Sequence, residues 1–163
     1  MKVFISHQRR DSHVATRVSQ RLWTHHQIES YLDVVDSRLG MKGEELADQI
    51  RLELTRCTQL LAVVTANTEV SSWVPWEIGV AAEREYPLAS YSDGTKPYEF
   101  LASWPYLRND QELDKYAVES KVAAQKQRQL AMESGVTLDS VGIGTRRTVT
   151  REFYKALRRS LNQ

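Results

Sequence analysis

The chain opens on a short apolar run, Lys2 to Ser6, that ends in the polar cluster Ser6-His7-Gln8-Arg9-Arg10-Asp11, the pattern of a buried strand opening into a loop. Val14, Val18 and Leu22 then recur every fourth residue with Arg17, Gln20 and Arg21 between them, which predicts an amphipathic helix capped by Asp11 or Ser12. IESYLDVV predicts a second strand, DSRLGMKGEE a polar loop, and Leu46, Ile50 and Leu54 the buried face of a second helix. QLLAVVT reads as a third, fully buried strand. SSWVPWEIGVA starts a third helix that runs to about Glu85, and EYPLASY is a weaker fourth strand whose Pro87 belongs at its beginning or on an edge. Short apolar strands alternating with helices imply right-handed crossovers and a parallel sheet covered on both faces, an open doubly wound α/β fold.

Past Tyr91 the pattern loosens. SDGTKPYEF is turn-rich, LASWPYLRN holds a short fifth strand and its exit, and ELDKYAVESKVAAQKQRQLAMES is a polar helical stretch. Phe153, Leu157 and Leu161 at four-residue spacing predict a docked terminal helix. GVTLDSVGIGTRR between these helices reads as a loop; its GIG lacks the preceding strand, third glycine and downstream acid of a dinucleotide fingerprint. The expectation is a single domain over residues 1–163, with a core at about 2–106 and a helical C-terminal part at about 107–163.

Composition narrows the functional classes. The 163 residues are 41% hydrophobic, enough for a real core, and 22 Lys and Arg stand against 21 Asp and Glu, so no excess charge points to nucleic acid or a membrane surface. The single cysteine, Cys57, has no internal disulfide partner, and its position near a helix end suits a buried thiol. With no apolar stretch long enough for a leader or a span near the N-terminus, a cytoplasmic protein is expected.

In an open α/β sheet ligands collect beyond the C-terminal ends of the strands, where strand order reverses. That rule gathers Ser6, His7, Gln8 and Arg9 after the first strand, Asp33, Asp36, Ser37 and Arg38 after the second, and Asn67, Ser72, Trp73 and Glu77 after the third. Ser71 or Ser72 can cap the third helix, and Pro75 is tolerated in its first turn. Trp73 and Glu77, four apart, share a helix face, while Trp76 is expected to point inward. By spacing alone Glu77 is either a partner of the helix dipole or of an arginine, or a functional acid. His25 and His26 close the first helix, with no partners at metal-ligand spacing.

Three segments in order, VFISHQRRD, LDVVDSRLG and VVTANTEVSSWVPWEIGVA, resemble a Toll/interleukin-1 receptor (TIR) domain over Lys2 to about Tyr106. The first resembles the family's strand-and-basic-loop box, the second its BB loop (Asp33 to Glu45), and the third the W-V-x-x-E-I motif of catalytic members, in which Trp73, Val74, Glu77 and Ile78 take the motif positions. Leu39-Gly40 stands where many signalling members carry Pro-Gly. The resemblance implies a flavodoxin-like sheet of about five strands, helices on both faces and extra C-terminal helices.

It also implies cleavage of the nicotinamide–ribose bond of NAD, giving nicotinamide and ADP-ribose or a cyclic or conjugated ADP-ribose signal. NAD enters as substrate, with no separate cofactor and no metal. Glu77 would be the catalytic acid, with Phe4, Ser6, His7, Arg9, Asp36, Ser72 and Trp73 around the substrate. His7 is either a stacking ring or a solvated loop residue, and Arg9 and Arg10 either meet phosphates or face solvent. Self-association through TIR–TIR contacts is implied, as is a separate effector if the chain is similar to antiphage sensors of Thoeris type. Two other classes compete: a non-catalytic TIR scaffold, and a nucleoside hydrolase or transferase using the same lone acid. A phosphoacceptor receiver domain is disfavoured, because Ser6-His7 and Thr65 stand where its aspartates belong.

Overall fold

The computed structural model describes residues 1–33, 43–92, 98–137 and 140–163. Asp36, Ser37, Arg38 and the Leu39-Gly40 pair lie outside the described residues, as does most of the expected BB loop. Five parallel strands, β1 (Lys2–Ser6), β2 (Glu29–Asp33), β3 (Gln59–Val63), β4 (Leu88–Tyr91) and β5 (Tyr106–Leu107), form one sheet in the order β2-β1-β3-β4-β5. Helices α1 (Ser12–His26), α2 (Glu44–Thr55), α3 (Trp73–Glu83), α4 (Asp110–Glu133) and α5 (Ile143–Leu161) cover both faces. This is the doubly wound, flavodoxin-like order anticipated from the sequence.

Alternation along the strands divides the core in two. Val3 and Ile5 of β1 and Leu61 and Val63 of β3 face α1, α4 and α5, meeting Val14, Val18, Leu22, Leu113, Tyr116, Phe153, Leu157 and Leu161. Phe4, Leu60 and Ala62 face the other way, against Leu46, Ile50 and Leu54 of α2 and Val74, Ile78 and Ala81 of α3. All three helix stripes read from four-residue spacing are buried, because a stripe of that period stays on one side of a helix.

Of three local expectations, two hold and one is corrected. Pro87 sits immediately before β4, at its beginning as one of the two expected placements has it, and β4 lies between β3 and β5. The stretch read as a loop before the terminal helix is shorter: Gly142 precedes α5, and Ile143 and Gly144 are its first residues. The polar segment after β5 is helical as expected, 24 residues long, with Leu113, Tyr116 and Ala117 fully buried against the sheet and α5. Asn109 caps it by accepting from Glu112 N–H at 3.0 Å.

Candidate functional site

Strand β1 lies between β2 and β3. The chain leaves it over one face through α1 and returns over the other through α2, so the crevice beyond β1 is the switch point of the sheet. Ser6 ends β1 there, in register with Asp33 of β2 and Ala62 of β3. Its side chain faces the α3 side, and its hydroxyl donates to Oε2 of Glu77. Val74, Ile78 and Ala81 pack α3 onto the sheet and carry Glu77 down with them, leaving it 1% exposed. A carboxylate within this crevice, 71 residues along the chain from the hydroxyl it accepts from, is a long-range arrangement and not a local cap.

The other expected residues divide. Trp73 stands half-buried one turn before Glu77, and its ring meets Trp76 edge-on, centroids 5.6 Å apart at 84°. Trp76, expected to point inward, is half-buried: it packs against the core between α2, α3 and the sheet, with the Arg51 guanidinium 5.5 Å from its ring centre. Ser72 is exposed at the start of α3 without capping it, and Ser71 Oγ accepts from Val74 N–H at 3.3 Å instead. Arg9 is exposed on a short 3-10 turn, Arg9–Asp11, and its carbonyl accepts from Ser12 Oγ at 2.7 Å.

Phe4 is corrected outright. It is fully buried in mid-strand with its ring against Tyr31 at 5.3 Å, because the alternation that turns Ser6 toward Glu77 sends Phe4 into the core one step below. His7 is no solvated loop ring: it is 5% exposed, with Nδ1 3.3 Å from Ile5 O and Nε2 3.2 Å from Ser12 Oγ. These contacts fix the turn between β1 and α1.

Of the two residues expected to cap α1, Asp11 takes the N-cap position without the capping contact. It is 1% exposed and accepts from Thr65 Oγ1 at 2.8 Å and Asn67 Nδ2 at 2.7 Å, across the crevice at the exit of β3. The polar pair Thr65 and Asn67 directly after an apolar strand is the only sequence signal of this contact.

The site thus centres on the buried Glu77 carboxylate, held by the Ser6 hydroxyl with an aromatic pair one turn away, while the second buried carboxylate, Asp11, is engaged by Thr65 and Asn67. Among the described residues no group of three or more His, Cys, Asp or Glu side chains is placed to hold a metal ion. Nor, among those residues, is any helix long and apolar enough to cross a membrane. Such a carboxylate can stabilise positive charge developing beside it without a second acid. A search of curated proteins finds no match. The sequence profile of the TIR domain matches residues 3–110, the stretch that holds every strand of the sheet and the Ser6–Glu77 contact, and the chain therefore belongs to the TIR domain family.

Proposed function

We propose that the chain cleaves the bond between nicotinamide and ribose in NAD, with Glu77 as the catalytic carboxylate. The observation that carries this reading is Glu77 buried at the switch point with its carboxylate anchored by Ser6. In NAD the C1′–N bond breaks with its electron pair going to the pyridinium nitrogen, so nicotinamide departs neutral and needs no proton. Positive charge gathers on C1′ and the ring oxygen. Water, or another nucleophile, then adds to C1′ and releases a proton. The usual glycosidase pair of acids answers a leaving oxygen that must be protonated, and one anion is sufficient where none is.

In this scheme Glu77 faces the developing cation and Trp73 offers an aromatic wall one turn earlier on α3. Ser6 is assigned to the carboxylate, fixing its rotamer, in place of the substrate contact expected from sequence.

Incubation with NAD followed by chromatography tests the reading. Nicotinamide release is expected, and Glu77→Gln should lower it by about 10²–10³-fold, the scale for removing a principal electrostatic stabiliser. If wild type releases no nicotinamide even at high protein concentration with a crowding agent, the enzyme reading falls and a TIR scaffold remains. Mass spectrometry of the same mixture separates linear, cyclic and base-exchanged ADP-ribose. Nucleosides assayed beside NAD address the hydrolase alternative.

A further inference from the structure

The buried carboxylate of Asp11 takes no part in the chemistry proposed for Glu77, yet it connects the two chain segments that carry the site. Its own N–H donates to Gln8 O at 2.8 Å, closing the turn that follows Ser6 and His7. Its two carboxylate oxygens are used by two different residues beyond β3: Oδ2 by the Thr65 hydroxyl at 2.8 Å, Oδ1 by the Asn67 amide at 2.7 Å. Two contacts to separate donors fix both the distance and the rotation of one loop against the other.

Thr65 extends the connection. Its N–H donates to Thr68 Oγ1 at 3.0 Å, its hydroxyl oxygen accepts from Asn67 N–H at 3.0 Å, and its carbonyl accepts from Tyr98 O–H at 3.0 Å. The loops after β1, β3 and β4 therefore meet at one residue. From there the 3-10 turn Ala66–Val70 leads directly into α3 and Glu77. The result is a closed ring: chain from Ser6 to Asp11, polar contact to Thr65, chain from Thr65 to Glu77, hydrogen bond back to Ser6.

We propose that Asp11 is a positioning residue for Glu77, closing this ring and thereby setting where the α3 carboxylate stands over the end of β1; the proposal rests on the NAD-cleaving reading of the site. A ring with two polar closures holds its geometry only while both are made. Without the Asp11 contact, two half-buried donors lose their acceptor and the start of α3 is no longer registered against Ser6. Displacement of a reacting group by about 1 Å is enough to lower a rate by about 10²-fold.

The test compares Asp11→Asn, Asn67→Asp and the double exchange, each confirmed folded by its thermal transition and assayed well below it. Asp11→Asn removes the charge and leaves one acceptor oxygen for the two donors, Thr65 and Asn67, and Asn67→Asp sets two carboxylates against each other. The exchange restores a donor–acceptor pair with the roles reversed, and leaves Thr65 an amide oxygen to donate to. Each single variant should lose kcat by about ten- to a hundredfold with KM changed less than about threefold, and the double exchange should recover most of the loss. Unchanged kcat in folded Asp11→Asn, or no recovery in the folded exchange, overturns the proposal.

Amide hydrogen exchange over residues 66–77 gives a second readout independent of turnover. Exchange should quicken in Asp11→Asn and slow again in the double exchange, and equal rates in wild type and Asp11→Asn overturn the ring. If wild type releases no nicotinamide, the reading of Glu77 has failed, and this exchange measurement alone decides whether Asp11 registers α3.

Discussion

At the scale of single residues, the Ser6–Glu77 hydrogen bond joins groups 71 residues apart in the chain. Ser6→Ala should keep the fold, since Ser6 is small and its place on β1 is set by backbone pairing. It should lower nicotinamide release by roughly tenfold, the rate equivalent of one hydrogen bond to a charged group, and Ser6→Thr should restore part of it. A loss as large as that of Glu77→Gln would instead give Ser6 a direct role. Cys57 illustrates the opposite outcome. It is buried, and burial pushes its thiol up to about 12. It should therefore resist thiol reagents in the native protein at pH 8 and react only on unfolding, which a timed labelling experiment reads directly. The buried thiol was legible in the sequence from composition and placement. The task of Asp11 was not: an acid before a helix reads as a cap, and only the position of Thr65 and Asn67 beyond β3 draws its carboxylate away.

At the scale of elements, α4 is held to α1 by charge as well as by packing. Arg21 reaches Asp114 through two hydrogen bonds, 2.9 Å from Nε and 2.6 Å from Nη2, and His26 Nε2 lies 2.8 Å from the same carboxylate. The hydrogen bond from Arg21 chiefly, with His26 adding to it, holds the Asp114 carboxyl down to about 2. A folded-state value below the unfolded one, about 3.9, gives stability that is present above that pH and lost as pH falls toward 2. Asp114→Asn should therefore cost stability at pH 7, roughly 1 kcal/mol once solvent screening of a partly exposed pair is allowed for, and the difference should close between about pH 4 and pH 2. Urea unfolding of both proteins across that range is the check, and a constant difference would refute the assignment. The charges of α4 were visible in the sequence and made it read as a polar helical stretch of unknown task. Its buried side, with Leu113, Tyr116 and Ala117, was diluted among polar residues and became meaningful only once α1, α5 and the sheet surrounded it.

At the scale of the whole molecule, the family match ends at residue 110, where α4 begins. The physical core does not end there. Val3, Ile5, Leu61 and Val63 are fully buried on the face that α4 and α5 cover together with α1. A chain ended after Arg108 should expose that face and lose cooperative unfolding, which circular dichroism through a urea titration measures. A sharp transition in the shortened chain would make the C-terminal helices an addition to a self-sufficient unit and not a part of its core. Self-association through TIR–TIR contacts is a proposal at this same scale, and sedimentation over a range of concentrations tests it.

The sequence by itself determined the order of strands and helices, which side of α1, α2 and α5 is apolar, and that Ser6 and Glu77 belong to the same rim. Each follows from periodicity and turn residues, which act over a few positions and need no knowledge of distant partners. Tertiary structure decided the rest: the burial of Phe4 beneath Ser6, the half-burial of Trp76 under Arg51, the turn-holding contacts of His7, and the passage of the Asp11 carboxylate across the crevice to Thr65. Those outcomes depend on which segments the parallel crossovers bring side by side. A polar side chain takes its partner from the neighbours it is folded against, and they stand tens of residues away along the chain.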